Sequence, residues 1–228
     1  MKPYYAILAI AALSAAYAGA RPVPQSSGSI AAADTAAVGS DTVTIESVSD
    51  YFLFSDEFDI IDQTNRMDML DYYASGMKKQ MPSRLGGKVS IDSIAGNHYM
   101  KVLTSDASET EVRMYTLKSG DKFFSIVNRV RMPATDCRLR FDMADAAKIF
   151  PKQPTTEDFL NGNKKQKSEI AEKIDFPLID YTFLPDGDIE ARLSLSKYIS
   201  REDSAVVKPW VKDKIVYHWN GKSFSQVK

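Results

Sequence analysis

From Lys88 onward the apolar residues recur at every second position, and short turns separate the segments that carry this alternation. Candidate strands run Lys88–Ala95, His98–Thr104, Thr110–Leu117, Lys122–Met132 and Cys137–Met143. Gly96-Asn97, Ser105-Asp106, Ser119-Gly120-Asp121 and Pro133 supply the turns between them. Parallel strands need crossovers of about a dozen residues or more, so this spacing commits the chain to antiparallel meanders.

Two later hairpins can be read with their register. In Leu184-Pro185-Asp186-Gly187-Asp188, proline presets φ and glycine accepts the left-handed position. A three-residue loop then sets Phe183, Tyr181 and Ile179 opposite Ile189, Ala191 and Leu193, all apolar. Glu190, Arg192 and Ser194 fall on the other face, which reads as wet. Asn220-Gly221 is a two-residue hairpin signal that pairs Trp219 with Lys222 and Tyr217 with Phe224.

Upstream of Lys88 the period is helical. Ser49 or Asp50 is a candidate cap for a short helix through Phe52, Leu53 and Phe58. Thr64 or Asn65 is a candidate cap for a second helix whose apolar face is Met67, Leu70, Tyr73, Ala74 and Met77. Pro82 and Gly86-Gly87 close the helical region. Between the candidate strands, Lys152–Lys173 reads as an inserted charged segment. Its cluster Lys164, Lys165 and Lys167 reads as a solvated face rather than an anion site. The fold class is therefore α+β, with N-terminal helices packed on one or two antiparallel meander sheets of about eight or nine strands. So many strands in one flat sheet is unusual, which favours curling or a split into two meanders.

The N-terminus has a different composition. Met1-Lys2 is followed by an apolar run, Ile7 to Ala16, and by the small-residue sites Ala16-Tyr17-Ala18 and Ala18-Gly19-Ala20. This is the pattern of a cleavable signal peptide over residues 1–20, because a run of about 10 residues falls short of the roughly 20 that span a bilayer. Residues 21–44 are Ala, Ser, Thr, Gly, Pro and Val rich with no aromatic residue, as expected for a disordered tether. The folded unit is then a single domain over residues 45–228. Export is the expected route, to periplasm, cell surface or medium. Cys137 is the only cysteine, so a lipoprotein cleavage site, an intramolecular disulfide and a cysteine-based zinc site are excluded. Cleavage after Ala20 removes one Lys, leaving 28 basic residues against 30 acidic ones, a net charge of −2. That balance argues against a nucleic-acid partner.

The search for chemistry finds no nucleophile elbow, P-loop or dinucleotide fingerprint, and no cofactor or metal site is expected. His98 and His218 have no ligating neighbour at metal spacing, and Cys137 reads as buried and inert. Asp56, Asp59, Asp62, Asp68 and Asp71 form an acidic helical region. Asp68 and Asp71, or other carboxylates, are to be weighed for glycoside hydrolysis, against the plainer reading of a solvated face.

Several segments carry a family resemblance: Asn65-Arg66-Met67-Asp68-Met69-Leu70-Asp71, Ser75-Gly76-Met77-Lys78, Leu85-Gly86-Gly87, Pro133 to Arg138 and Tyr217-His218-Trp219-Asn220-Gly221-Lys222-Ser223-Phe224. Together they resemble a domain-of-unknown-function family of exported Bacteroidales proteins, over about Ser49 to Val227. The resemblance implies compartment and lineage and assigns no activity. It also draws attention to Asp-Ser/Thr-small or -apolar triplets, an O-glycosylation signal in such proteins. Four occur, beginning at Asp34, Asp41, Asp92 and Asp203, and two lie in the tether, which makes Thr35 and Thr42 candidate glycan carriers.

The functional expectation is a non-enzymatic envelope binding or interaction domain with a protein or glycan partner. Trp210 and Trp219 are candidates for its contact surface. Pro209 keeps the Lys208–Trp210 stretch out of a central strand, so Trp210 is the better of the two. A structural or assembly role in the envelope is the alternative. A carboxylate-based glycan hydrolase is the third reading.

Overall fold

The computed structural model of the chain describes residues 44–131, 135–143, 145–195 and 199–227. Residues 1–20, almost all of the tether, and Thr35 and Thr42 lie outside the described residues.

Helix α1 (Val48–Phe54) is capped two to three residues before the expected positions, Ser49 or Asp50. Ser47 is the cap, and its Oγ accepts from the Asp50 amide at 3.1 Å. Asp50 sits inside the first turn instead, where its carboxylate accepts from Ser47 Oγ at 2.7 Å and complements the positive helix end. Ser55 ends α1 and caps a separate 3-10 turn, Asp56–Phe58, so Phe58 is buried from that turn rather than from the helix.

Helix α2 (Gln63–Ala74) corrects the expected face. It starts directly after Asp62 and ends before Met77. Arg66 and Met69 are its buried residues, Leu70 and Tyr73 are half-buried, and Met67 and Met77 are exposed. Arg66 explains the difference. Its Nη1 donates to the carbonyls of Phe52 and Ser55, each at 2.9 Å, and so satisfies acceptors left over at the C-terminal end of α1. A guanidinium that caps a neighbouring helix occupies the core-facing row, and a hydropathy pattern assigns that row to apolar residues only.

Ten strands among the described residues form two antiparallel sheets, where eight or nine strands are expected. The first sheet takes β1 (Met81–Pro82), β2 (Lys88–Ala95), β3 (Tyr99–Leu103), β4 (Ser108–Thr116), β5 (Lys122–Val130) and β6 (Asp136–Asp142) in chain order. The second takes β7 (Leu178–Phe183), β8 (Ile189–Ser194), β9 (Ile215–Trp219) and β10 (Phe224–Gln226), also in chain order. Strand β1 lies where only a helix stop is expected.

The first sheet is covered on both faces. On one, Val89, Ile91, Met100, Val102, Val112, Phe124 and Ile126 pack against Val48, Tyr51, Phe52, Phe58, Ile61 and Met69 of the helical region. On the other, Tyr115, Phe123 and Val127 meet Tyr181, Phe183, Ile189, Ala191, Tyr217 and Phe224 of the second sheet.

The segment between β6 and β7 is more than a charged surface excursion. It contains α3 (Ala146–Ile149), a 3-10 turn (Thr156–Phe159) and α4 (Lys164–Ala171), and it sends Phe150, Phe159, Leu160, Ile170 and Ile174 into the inter-sheet core. Lys164 and Lys165 are exposed and Lys167 is half-buried. Asn163 caps α4 by accepting from the Gln166 amide at 3.0 Å.

The β7–β8 hairpin has the expected register, with Ile179, Tyr181 and Phe183 opposite Leu193, Ala191 and Ile189. Its other face is drier than expected. Glu190 is buried and bonds Arg192 Nε at 2.6 Å and Lys214 Nζ at 2.9 Å. The β9–β10 register differs by two residues. Trp219 pairs with Phe224, and Gln226 rather than Phe224 faces Tyr217. The loop is thus Asn220 to Ser223. Asn220 Oδ1 accepts from the Lys222 and Ser223 amides, and the Gly221 carbonyl accepts from the Lys118 amide at 2.9 Å. This tertiary tie to the β4–β5 turn favours the wider loop over the two-residue turn that Asn-Gly signals. Between β8 and β9 lie α5 (Arg201–Val207) and a 3-10 turn, Lys208–Trp210. No helix among the described residues is long and apolar enough to cross a membrane.

Candidate functional site

Strands β4 and β5 lie in the middle of the first sheet, so both of their faces are covered. The β4 row that faces the second sheet reads Glu109, Glu111, Arg113, Tyr115, and only its last member is aromatic. Burying such a row requires internal partners. Arg129, opposite Glu109 on β5, supplies them. Its Nη1 donates to Glu109 and, at 2.5 Å, to Glu111. Its Nε donates to Asp180 at 2.9 Å, and its Nη2 to the Tyr181 carbonyl. Lys101 Nζ lies 3.1 Å and Arg131 Nη2 2.6 Å from Glu109. Tyr99 donates its hydroxyl to Glu111 at 3.0 Å. Burial opposes the Arg129 charge, but hydrogen bonding to Glu111 and the surrounding negative charge outweigh it and raise the pKa. Burial also works against the Glu109 carboxylate. Hydrogen bonds from Arg131, Arg129 and Lys101 overcome it and hold the group below the usual glutamate range.

The same network closes the near edge of β7. Tyr181 gives its carbonyl to Arg129 and its amide to the Cys137 thiol, whose Sγ donates to Asp180 Oδ1 at 3.1 Å. Burial, with the bond to Asp180, pushes the Cys137 thiol up to about 12. At neutral pH the thiolate is then roughly a thousandfold scarcer than for a free cysteine. The folded chain is expected to resist a maleimide or disulfide reagent at pH 8, and the urea-unfolded chain to react completely in the same time. Equally fast labelling of both would contradict this.

Strand β6 shares this closure at Cys137, but its outer edge carries no backbone pairing among the described residues. Strand β6 ends the first sheet, pairs only with β5, and has no strand partner on its outer side among the described residues. Beside it opens a cleft of about 770 Å³, lined by Asp136 through Phe141, by Ala146, Ala147 and Phe150 around α3, and by Ile179 and Tyr181 of β7. Side chains alternate along the strand. Cys137, Leu139 and Phe141 turn to the inter-sheet core, and Arg138 and Arg140 to the opposite face. Arg140 pairs with Glu57, whereas Arg138 is exposed and has no ion-pair partner among the described residues. A second hollow of about 480 Å³, lined by Tyr51, Phe54, Glu57, Arg140 and Asp142, lies on the other side of the strand.

The residues singled out from sequence lie elsewhere. Trp210 is half-buried in its 3-10 turn, packs on the inter-sheet core, and gives its carbonyl to the Asn161 amide at 2.7 Å. Trp219 is half-buried, its ring centroid 5.3 Å from Tyr115, 5.4 Å from Phe123 and 4.9 Å from Phe224. Asp68 is half-buried and Asp71 exposed on α2, and neither lines the cleft. His98 is exposed, and His218 Nδ1 lies 3.0 Å from Asp188 Oδ1. Among the described residues no three His, Cys, Asp or Glu side chains converge as a metal site. Two signals for the cleft were present in the sequence: the alternation Asp136-Cys137-Arg138-Leu139-Arg140-Phe141-Asp142, and the position of this strand as the last before a long interruption.

Fold and site together define an α+β domain of two stacked antiparallel meanders with a cleft along one open sheet edge. The chain belongs to the family described as "Protein of unknown function (DUF3256)", which matches residues 47–224. That agrees with the resemblance to an unknown-function family read from the Asn65–Asp71 and Tyr217–Phe224 blocks. A solved domain of an uncharacterized protein from Porphyromonas gingivalis W83 is similar in fold. Its TM-score is 0.62 at 17% identity, over 74% of this chain and 91% of that one. No curated protein matches the chain.

Proposed function

We propose that the chain is an exported, non-enzymatic binding domain of the cell envelope and that the cleft along β6 is its binding site. In this reading residues 1–20 are the leader, residues 21–44 a tether, residues 45–228 the domain, and Thr35 and Thr42 carry glycans. The cleft is the observation that carries the reading. An open sheet edge invites unwanted pairing and is normally short, bulged or covered. Here seven residues of regular strand stand beside a hollow of the size that ligand sites occupy.

The test is a photo-crosslinking amino acid placed at Gln153 on the cleft rim, in the native host. A discrete adduct is expected, and it should be lost when Ala147→Trp fills the cleft. A crosslinker at Asp71 on α2, outside the cleft, should give none. No adduct at Gln153, or one unchanged by Ala147→Trp, would count against the reading.

A further inference from the structure

We propose, resting on that reading, that the cleft takes an extended polypeptide, which adds to β6 as an antiparallel strand and alternates acidic and apolar residues at its centre. Three observations lead here. First, of the two strand edges at the cleft, β7 has its Tyr181 amide and carbonyl occupied by Cys137 and Arg129, whereas β6, although it touches β7 at Cys137, has no hydrogen-bonded strand on its outer side among the described residues. A visiting strand therefore has one place to pair. Main-chain hydrogen bonds to β6 would hold it over roughly 20 Å, the length of seven extended residues.

Second, the two faces of β6 ask for different side chains. An added strand places one row beside Leu139, Phe141, Phe150 and Ile179, and that row is apolar. Its other row lies opposite Arg138 and Arg140. Arg138 has no ion-pair partner among the described residues, so carboxylates match this row. Asp136 and Asp142 close the strand at its ends, which favours basic residues at the ends of the visitor.

Third, the charge pattern argues against a second copy of the chain as the occupant. Two-fold antiparallel pairing of β6 with itself, with the apolar row kept on one face, has three central registers. They set Arg138 against Arg140, Arg138 against Arg138, or Arg140 against Arg140. Like charges directly opposite destabilise such a pair.

The probe is the acetylated, amidated peptide Lys-Val-Glu-Val-Glu-Val-Lys, titrated into the full chain and followed by NMR amide exchange. Alternate amides of β6 are expected to gain protection. N-methylating one alternate set of peptide amides should leave binding intact, and methylating the other set should weaken it by more than about tenfold. The charge-reversed peptide Glu-Val-Lys-Val-Lys-Val-Glu should bind about tenfold more weakly. Arg138→Glu should invert that preference, and Arg138→Gln should remove it.

Equal binding of both methylated peptides overturns strand addition. So does absence of binding by every peptide. In either case the Gln153 adduct tells whether the cleft still binds something else. Protection of β6 that grows with protein concentration and needs no peptide assigns the edge to a second copy and overturns the proposal.

Discussion

Arg129→Met is expected to cost about 3–5 kcal/mol of folding stability, because it leaves the Glu109 and Glu111 carboxylates buried without their shared partner. Urea unfolding followed by far-UV circular dichroism measures it. The mechanism makes a second demand. Arg129→Met combined with Glu109→Gln and Glu111→Gln should recover much of the loss, since the damage comes from two buried charges that have lost the cation they share. A triple variant no better than the single one would show that Arg129 acts through packing alone. The pH dependence has a definite sign. The Glu109 pKa is depressed in the folded state, so its contribution is fully present above the ordinary glutamate value near 4.5 and fades as pH falls through the lower folded value. Glu109→Gln should flatten the stability curve below about pH 4.5 and lower it at neutral pH.

The second large effect is expected at Phe159. It is fully buried in the inter-sheet core although it comes from the segment between the sheets. Phe159→Ala should cost about 3–5 kcal/mol, from lost burial and the cavity left behind. Lys164→Ala and Lys165→Ala, a few residues on, should stay within about 0.5 kcal/mol. If Phe159→Ala proved as mild as the lysine changes, this segment would be a dispensable excursion and not part of the core.

These two sites also mark what sequence reasoning could reach. Strands β2 to β6 lie within two residues of their expected ends, and the β7–β8 register matches residue for residue, because alternation plus a turn signal determines both. The α2 face and the charged β4 row were out of reach for one shared reason. Arg66, Glu109 and Glu111 are polar residues in core-facing rows, made tolerable by partners that lie far along the chain. The β9–β10 loop misled because its width depends on a bond to Lys118, about a hundred residues upstream in sequence. The cleft combines both difficulties. Each side of it is a legible strand, but the gap between them exists only once the sheets are stacked.

Every strand pairing in the two sheets joins neighbours in the chain, and the one step without backbone pairing is from β6 to β7. Such a meander has a low contact order for a β-rich protein. Apart from β8–β9, whose connection carries α5, each pairing closes a short loop, so most of the entropy cost of closure is met in small instalments as the chain lengthens. The first sheet has all its pairing partners once residue 142 is available, before any of the second sheet is needed. The first sheet can therefore be assembled vectorially, strand upon strand from the N-terminal side, with β6 as the last strand laid down before the chain crosses to the second sheet.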